Sequence, residues 1–207
     1  MAPPALPAPT AAAALSLFVW RRVESPEGHS LVHLERRARG FRAEGWEVAG
    51  EAGQAWMLHF TLTTDAAWRT RSVTLESTDP TGSRRARLTA DGTGSWLVDG
   101  QPRAELDGCL DVDLAGAPFT NTLPIRRLCL AEGEHAEIRA AWIDVPSLAV
   151  HSMEQRYTRL ETGGALDRYE YRSLPSGRRY LLSVDDEAIV VEYEALATRV
   201  YPRGVMS

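Results

Sequence analysis

Apolar and polar residues alternate along most of the chain, and this period of two predicts short β-strands. Clusters of Gly, Pro, Asp and Ser interrupt the alternation at intervals of about ten residues, a spacing typical of sandwiches, barrels and curved sheets. The clearest pair of strands, a predicted hairpin, is 56–64 and 68–78. The other alternating runs are 15–20, 30–35, 41–48, 84–89, 95–98, 109–114, 137–143, 149–160, 166–173, 179–184 and 188–193. The pattern predicts a mainly β protein whose many strands are antiparallel and follow one another as a meander.

One segment, 118–130, departs from the alternation and predicts a short helix. Thr120, Asn121 or Thr122 is a suitable cap for its start, and Pro124 suits a first helical turn. Apolar residues then recur at helical spacing. A strand is the alternative for this segment.

The beginning of the chain lacks the features of a signal peptide or membrane anchor. Its first charged residue is Arg21, so no basic region precedes the apolar stretch 11–20, which is too short to span a bilayer. Prolines at positions 3, 4, 7 and 9 oppose a helix there. We expect residues 1–13 to be a disordered leader, residues 14–203 to form one domain, and the protein to be soluble, with no integral membrane segment.

Composition excludes several functional classes. All 23 basic residues are arginine, and without lysine the chain cannot perform Schiff-base chemistry or form a Walker-type phosphate loop. The net charge of −5, with no long basic run, argues against nucleic-acid binding. Cys109 and Cys129 have no CxxC spacing, so we expect both thiols to be buried in a protein of the reducing cytoplasm. The five histidines are scattered singly, which predicts no metal and no cofactor.

Three carboxylates, Asp107, Asp111 and Asp113, lie in one short segment. In a strand, Asp111 and Asp113 project from the same face about 7 Å apart. A pair of carboxylates is the equipment of an acid/base hydrolase acting on a glycoside or an ester. The alternative is structural, in which Asp111 or Asp113 forms an ion pair with Arg126 or Arg127.

Two further segments combine groups that could hold a ligand. Thr120 and Asn121 precede Arg126 and Arg127, and this mixture can bind hydroxyls, a carboxylate or a phosphate; the alternative is a capped helix with arginines in solvent. In the second strand of the predicted hairpin, Trp68 is followed by Arg69 and Arg71, which point to the opposite face. One of the two faces could line a cavity.

The order of several segments resembles the bacterial "Putative glycolipid-binding" family. The central match is 96–100, 106–114 and 118–128, and further matches are 65–73, 146–148, 155–157, 169–171 and 184–193. The resemblance implies a strongly curved antiparallel sheet or open half barrel with one helix, similar to lipoprotein-localisation carriers. It also implies non-catalytic binding of an amphiphile, a lipid or a glycolipid, in the concavity of the sheet. The chain has Glu187-Ala188 where the resemblance implies a glycine-containing turn, which leaves the geometry of the last hairpin open.

Under this interpretation the predicted ligand-binding residues are Trp68, Arg69, Arg71, Asp111, Asp113, Thr120, Asn121, Arg126, Arg127 and Tyr157. We also expect Arg126 and Arg127 to differ, because adjacent residues point in different directions. The inward arginine should pair with Asp111 or Asp113, with a further hydrogen bond from Asn121. A hydrolase using the three aspartates and a structural or partner-binding protein with a filled concavity are the alternative functions, and the oligomeric state stays open.

Overall fold

The computed structural model describes residues 15–23, 27–51, 53–160 and 164–202. The predicted leader, 1–13, lies outside the described residues. Within them the chain forms fifteen strands and one α-helix, most of them where the alternation predicts them. The strands are β1 Leu15–Arg22, β2 Glu27–Arg37, β3 Gly40–Glu51, β4 Gln54–Thr64, β5 Thr70–Asp79, β6 Gly82–Ala90, β7 Trp96–Val98, β8 Gln101–Pro102, β9 Asp111–Leu114, β10 His135–Ile143, β11 Val150–Arg159, β12 Asp167–Ser173, β13 Arg179–Val184, β14 Val190–Tyr193 and β15 Ala197–Tyr201.

All the strands belong to one open sheet, which is not closed into a barrel and whose order is β8-β7-β6-β5-β4-β3-β2-β1-β15-β14-β13-β12-β11-β10-β9. The first and last strands of the chain are therefore neighbours in the middle of the sheet, with Trp20 opposite Arg199. Two half-sheets, β1–β8 and β9–β15, meet at this junction. The indole N–H of Trp20 reinforces it by donating to the backbone carbonyl of Val190 over 2.8 Å.

Three details of the predicted strands were wrong. Strands β8 and β15, of two and five residues, were not predicted. Strands β9 and β10 are parallel, since the helical segment between them returns the chain in the same direction. Trp68 precedes β5 and lies in the turn after β4, with a left-handed φ of 64°.

The predicted helix is present as α1, Thr122–Leu128, preceded by a 3₁₀ turn, Pro118–Asn121. Pro124 is in the first turn, as expected, but the Asn121 side chain does not cap the helix. The helix ends at Cys129, which has a left-handed φ of 47°. Cys109 is buried, but Cys129 is exposed, so the expectation for the second thiol was wrong.

The buried side chains form two clusters with α1 between them. The first cluster fills the inner face of β1–β7, where Phe119 and Leu123 of the helical segment are fully buried. The second cluster lies on the inner face of β11–β14 and contains Ile125. Its larger members are Tyr157, Tyr169, Tyr171, Leu182 and Tyr193.

Candidate functional site

Strand β9 separates the two clusters because its alternate residues face opposite ways. Val112 and Leu114 join the first cluster. Asp111 and Asp113 project from the other face, as the alternation predicts. The start of the segment is held against the first half-sheet, where the N–H of Val112 donates to the Oγ1 atom of Thr70 over 3.0 Å.

Asp111 is held by Arg127 in a buried ion pair. The Arg127 Nε atom lies 3.1 Å from both carboxylate oxygens, and Nη2 lies 2.5 Å from Oδ2. The side chains of Asp111 and Arg127 are 1% and 15% exposed. This geometry confirms that one of the two adjacent arginines pairs with a nearby aspartate.

Asp113 accepts hydrogen bonds from neutral groups. The Thr120 hydroxyl donates to Oδ1 over 3.0 Å and the Gln155 amide to Oδ2 over 2.6 Å. Burial, with a smaller contribution from the charge of Asp111, raises the pKa of Asp113 to about 6. This carboxylate is therefore ionised at neutral pH without a cationic side chain bonded to it.

An open cavity of about 560 Å³ lies beside Asp113, and we call it the tyrosine pocket. Its size is within the range of small-molecule sites. It is lined by Asp113, Leu114, Ala115, Gly116, Ala117, Asn121, Trp142, Met153, Tyr171, Ser173, Pro175, Ser176, Arg178, Tyr180, Tyr193, Ala195 and Leu196. The lining thus combines aromatic rings, a carboxylate, an amide and hydroxyls.

The three tyrosines that line the pocket form a contiguous aromatic wall. The ring centroids of Tyr180 and Tyr193 are 5.4 Å apart. The ring centroid of Tyr171 lies 6.2 Å from that of Tyr180 and 6.4 Å from that of Tyr193. Within the described part of the chain none of their hydroxyls has a hydrogen-bond partner, yet none is among the polar atoms sealed from solvent. The three hydroxyls are therefore in contact with solvent and belong to residues that line the pocket.

Comparison with known proteins places this chain in a family. The model of the family described as "Putative glycolipid-binding" matches residues 17–199. The chain belongs to this family. None of the curated proteins compared with the chain matches it.

Two solved structures share the architecture. The crystal structure of a DUF1089 family protein from Pseudomonas aeruginosa is 37% identical to the chain, with a TM-score of 0.73, and the match covers 86% of this chain and 95% of that one. A beta-barrel-like DUF1849 protein from Brucella abortus, at 10% identity and a TM-score of 0.50, covers 89% of this chain and 93% of its own. The second likeness concerns the fold alone.

The predicted site residues of this family member divide into two groups. Asp113 and Asn121 line the tyrosine pocket. Thr120 and Tyr157 do not line it but are bonded to these two residues, and Asp111 and Arg127 form the adjacent ion pair. The Tyr157 hydroxyl donates to Asn121 Oδ1 over 2.9 Å. Asn121 therefore bonds to a tyrosine, and the expected hydrogen bond from Asn121 to an arginine was wrong.

Trp68 and Arg126 belong to a different place. They line a cavity of about 70 Å³, where the Arg126 guanidinium lies 4.6 Å from the centroid of the Trp68 ring and donates to the carbonyl of Glu187. Arg69 bonds to the turn carbonyl of Gly92 over 3.3 Å, and the Arg71 guanidinium adjoins the same glycine. The structure does not bring these four residues to the tyrosine pocket.

The pocket residues that sequence reasoning missed are Trp142, Tyr171, Tyr180 and Tyr193. Their alternation with polar residues on β10 and β12–β14 indicated an inner face, but several other aromatic residues show the same pattern. Only the curvature of the sheet distinguishes rings that line a cavity from rings that fill a core.

The three aspartates do not form the paired carboxylates of a hydrolase. Asp107 is exposed on the loop before β9, and Asp111 is bonded to Arg127. Asp113 faces the pocket without a second carboxylate in its lining. The described ranges also contain no group of three His, Cys, Asp or Glu side chains placed to hold a metal ion.

In the part of the chain that the structure describes, no helix is long and apolar enough to cross a bilayer.

Proposed function

We propose that this protein binds an amphiphile whose sugar-bearing headgroup occupies the tyrosine pocket. The observation that carries this proposal is the wall of three tyrosines, beside Asp113 and Asn121, whose hydroxyls have no hydrogen-bond partner among the described residues. The family description, glycolipid-binding, supports the same class of ligand. We propose binding without catalysis, because the pocket offers a single carboxylate.

The chemistry of the lining suits a sugar. A pyranose ring has C–H faces that pack on aromatic rings and hydroxyls that need both donors and acceptors. The tyrosine hydroxyls and the Asn121 amide can donate and accept, and the Asp113 carboxylate accepts. The site therefore offers both kinds of contact within one cavity.

The apolar tail needs a place other than the inner face of the first half-sheet. That face is filled by the protein's own side chains, including Phe119 and Leu123. The tyrosine pocket itself offers apolar surface, because Trp142, Met153 and Leu196 form part of its lining. We propose that the first methylenes of the tail pack there, each contributing about 0.8 kcal/mol when buried.

Titration calorimetry with octyl glucoside, using free glucose and octanol as separate controls, tests the proposal. We expect the joined amphiphile to bind and either half alone to bind much more weakly. Tyr180→Phe removes one free hydroxyl and should weaken binding about fivefold, the value of one hydrogen bond of about 1 kcal/mol.

The matched control is Tyr169→Phe, since Tyr169 is buried in the same cluster but does not line the pocket. Its affinity should equal that of the unmodified protein. Native mass spectrometry of protein from its own host, followed by lipid extraction, would identify the natural ligand. Failure of a panel of alkyl glycosides and fatty acids to bind, together with empty native protein, would contradict the proposal.

A further inference from the structure

The charges around Asp113 do not balance. Asp111 and Asp113 are neighbours on one face of β9, and the guanidinium next to them is that of Arg127. Arg127 makes all its side-chain hydrogen bonds to Asp111. Within the described ranges Asp113 accepts hydrogen bonds only from the neutral donors Thr120 and Gln155, while the charge of Asp111 repels it. A partly buried carboxylate in this position lacks the cation that such groups ordinarily pair with.

The missing cation has room in the tyrosine pocket. Asp113 lines this pocket, and Trp142 is its register partner on β10 and lines it too. The faces of Trp142 and of the neighbouring tyrosines carry the negative side of the ring quadrupole, which attracts a cation. The cationic side chain in the lining, Arg178, is exposed, where water and salt screen its charge.

We propose that the tyrosine pocket selects a headgroup that carries a protonated amine, with the Asp113 carboxylate as its counter-ion. The inference rests on the proposed function of the pocket and names the class of headgroup within it: an amino sugar or another primary amine joined to an apolar chain. Thr120 and Gln155 are positioning residues that hold the carboxylate toward the ligand.

The preference for an amine should depend on pH through Asp113. The pKa of Asp113 is about 6, so the carboxylate is ionised above that pH and neutral below it. The preference is therefore present near pH 7 and is lost as the pH falls through 6. Burial raises the pKa of Tyr157, Tyr171 and Tyr193, so these phenols stay neutral in this range. The titratable or charged groups around Asp113 are Asp111 on β9, Arg127 on α1, His151 and Tyr157 on β11, Tyr171 on β12, Arg178 before β13, Tyr180 on β13 and Tyr193 on β14.

The experiment compares octyl glucoside with its amino-deoxy forms, in which an amine replaces the hydroxyl at C2 or at C6, and with the N-acetyl derivatives of both. At pH 7 we expect one amino form to bind about tenfold or more tightly than octyl glucoside, the gain typical of a charge-assisted hydrogen bond. Acetylation should remove this gain. Asp113→Asn should also remove the gain, so that the amino form and octyl glucoside bind this variant equally, whatever affinity they share. Asp107→Asn changes an exposed carboxylate that does not line the pocket and should leave the gain unchanged.

The outcomes separate the inference from the proposed function. If octyl glucoside and both amino forms bind equally, or if the preference survives Asp113→Asn, the inference is overturned and amphiphile binding stands. If no form binds, the proposed function fails. Should Asp113→Asn not fold, the unmodified protein at pH 5 and pH 7 still decides, because an unchanged preference at pH 5 would overturn the role of Asp113.

Discussion

The two half-sheets use the same alternating pattern but enclose different interiors. The inner face of β1–β7 is closed by Phe119 and Leu123 from the helical segment and by Val112 and Leu114 from β9. The inner face of β11–β14 is lined mainly by tyrosines and leaves an open pocket of about 560 Å³. Aliphatic side chains and phenylalanine interdigitate and fill space, whereas each tyrosine carries a hydroxyl that needs a hydrogen-bond partner. Under the proposed function, the first half supports the molecule and the second half binds the ligand.

The adjacent arginines of α1 follow the same division. Arg127 faces the second half and forms the buried pair with Asp111, while Arg126 faces the first half and lies against Trp68. A helix places consecutive side chains about 100° apart, so neighbours can serve different interiors.

Each half also contains a carboxyl with a raised pKa, in opposite settings. Glu47 is 2% exposed in the first half, where Ser30 donates to it over 2.5 Å, and burial raises its pKa to about 8. Asp113 lines the open pocket. Burial alone therefore does not distinguish the two carboxyls. What distinguishes Asp113 is that it borders an open cavity.

The largest expected effect is loss of packing in the closed half. Phe119→Ala should lower the free energy of unfolding by about 4 kcal/mol, because the fully buried ring leaves a cavity. Tyr180→Ala in the open half should cost about 1 to 2 kcal/mol, because its ring already borders a cavity. Chemical denaturation of both variants measures the difference, and equal losses would contradict the distinction between the halves.

The arginine pair gives the next effect. Arg127→Ala should lower the free energy of unfolding by about 3 kcal/mol, since it leaves Asp111 buried without its partner. Arg126→Ala removes a partly exposed contact with a ring and should cost about 1 kcal/mol or less. Urea unfolding of the two single variants provides the test. A larger loss for Arg126→Ala would mean that the roles are reversed.

Glu47 predicts a dependence of stability on pH. Its pKa is higher in the folded protein than the unfolded value of 4.5, so the folded state binds more protons between pH 4.5 and 8 and stability falls as the pH rises through this window. The slope from this group is at most about 1.4 kcal/mol per pH unit. Glu47→Gln should remove this contribution between pH 6.5 and 8, above the pKa of Asp113, where it lowers the free energy of unfolding of the unmodified protein by about 2 kcal/mol. A slope that is the same in both proteins would exclude this role for Glu47.

The smallest expected effect concerns the turn at Glu187-Ala188, which joins β13 to β14. Ala188 has a left-handed φ of 58° in the turn between β13 and β14, where Asp185 Oδ1 accepts from the N–H groups of Glu187 and Ile189. The turn is thus formed without glycine, at the cost of strain at Ala188. Ala188→Gly should raise the free energy of unfolding by about 0.5 to 1 kcal/mol by removing that strain. Thermal unfolding measures the gain, and a lower midpoint than that of the unmodified protein would show that the residue is not strained.

Alternation in the sequence determined which segments are strands and which residues of a strand share a face. It predicted most of the strands, the helix near Pro124 and the common direction of Asp111 and Asp113, because these features depend on residues within a few positions of one another.

Only the tertiary structure decided which faces meet. The pairing of β1 with β15 and the parallel addition of β9 to β10 join segments that are distant in the chain, and a period of two carries no information about a strand's partner. The same long-range pairing brought Tyr171, Tyr180 and Tyr193 to Asp113 and left Trp68, Arg69 and Arg71 elsewhere. The sequence determined the residues available for a site, and sheet curvature and strand order decided which of them surround a cavity.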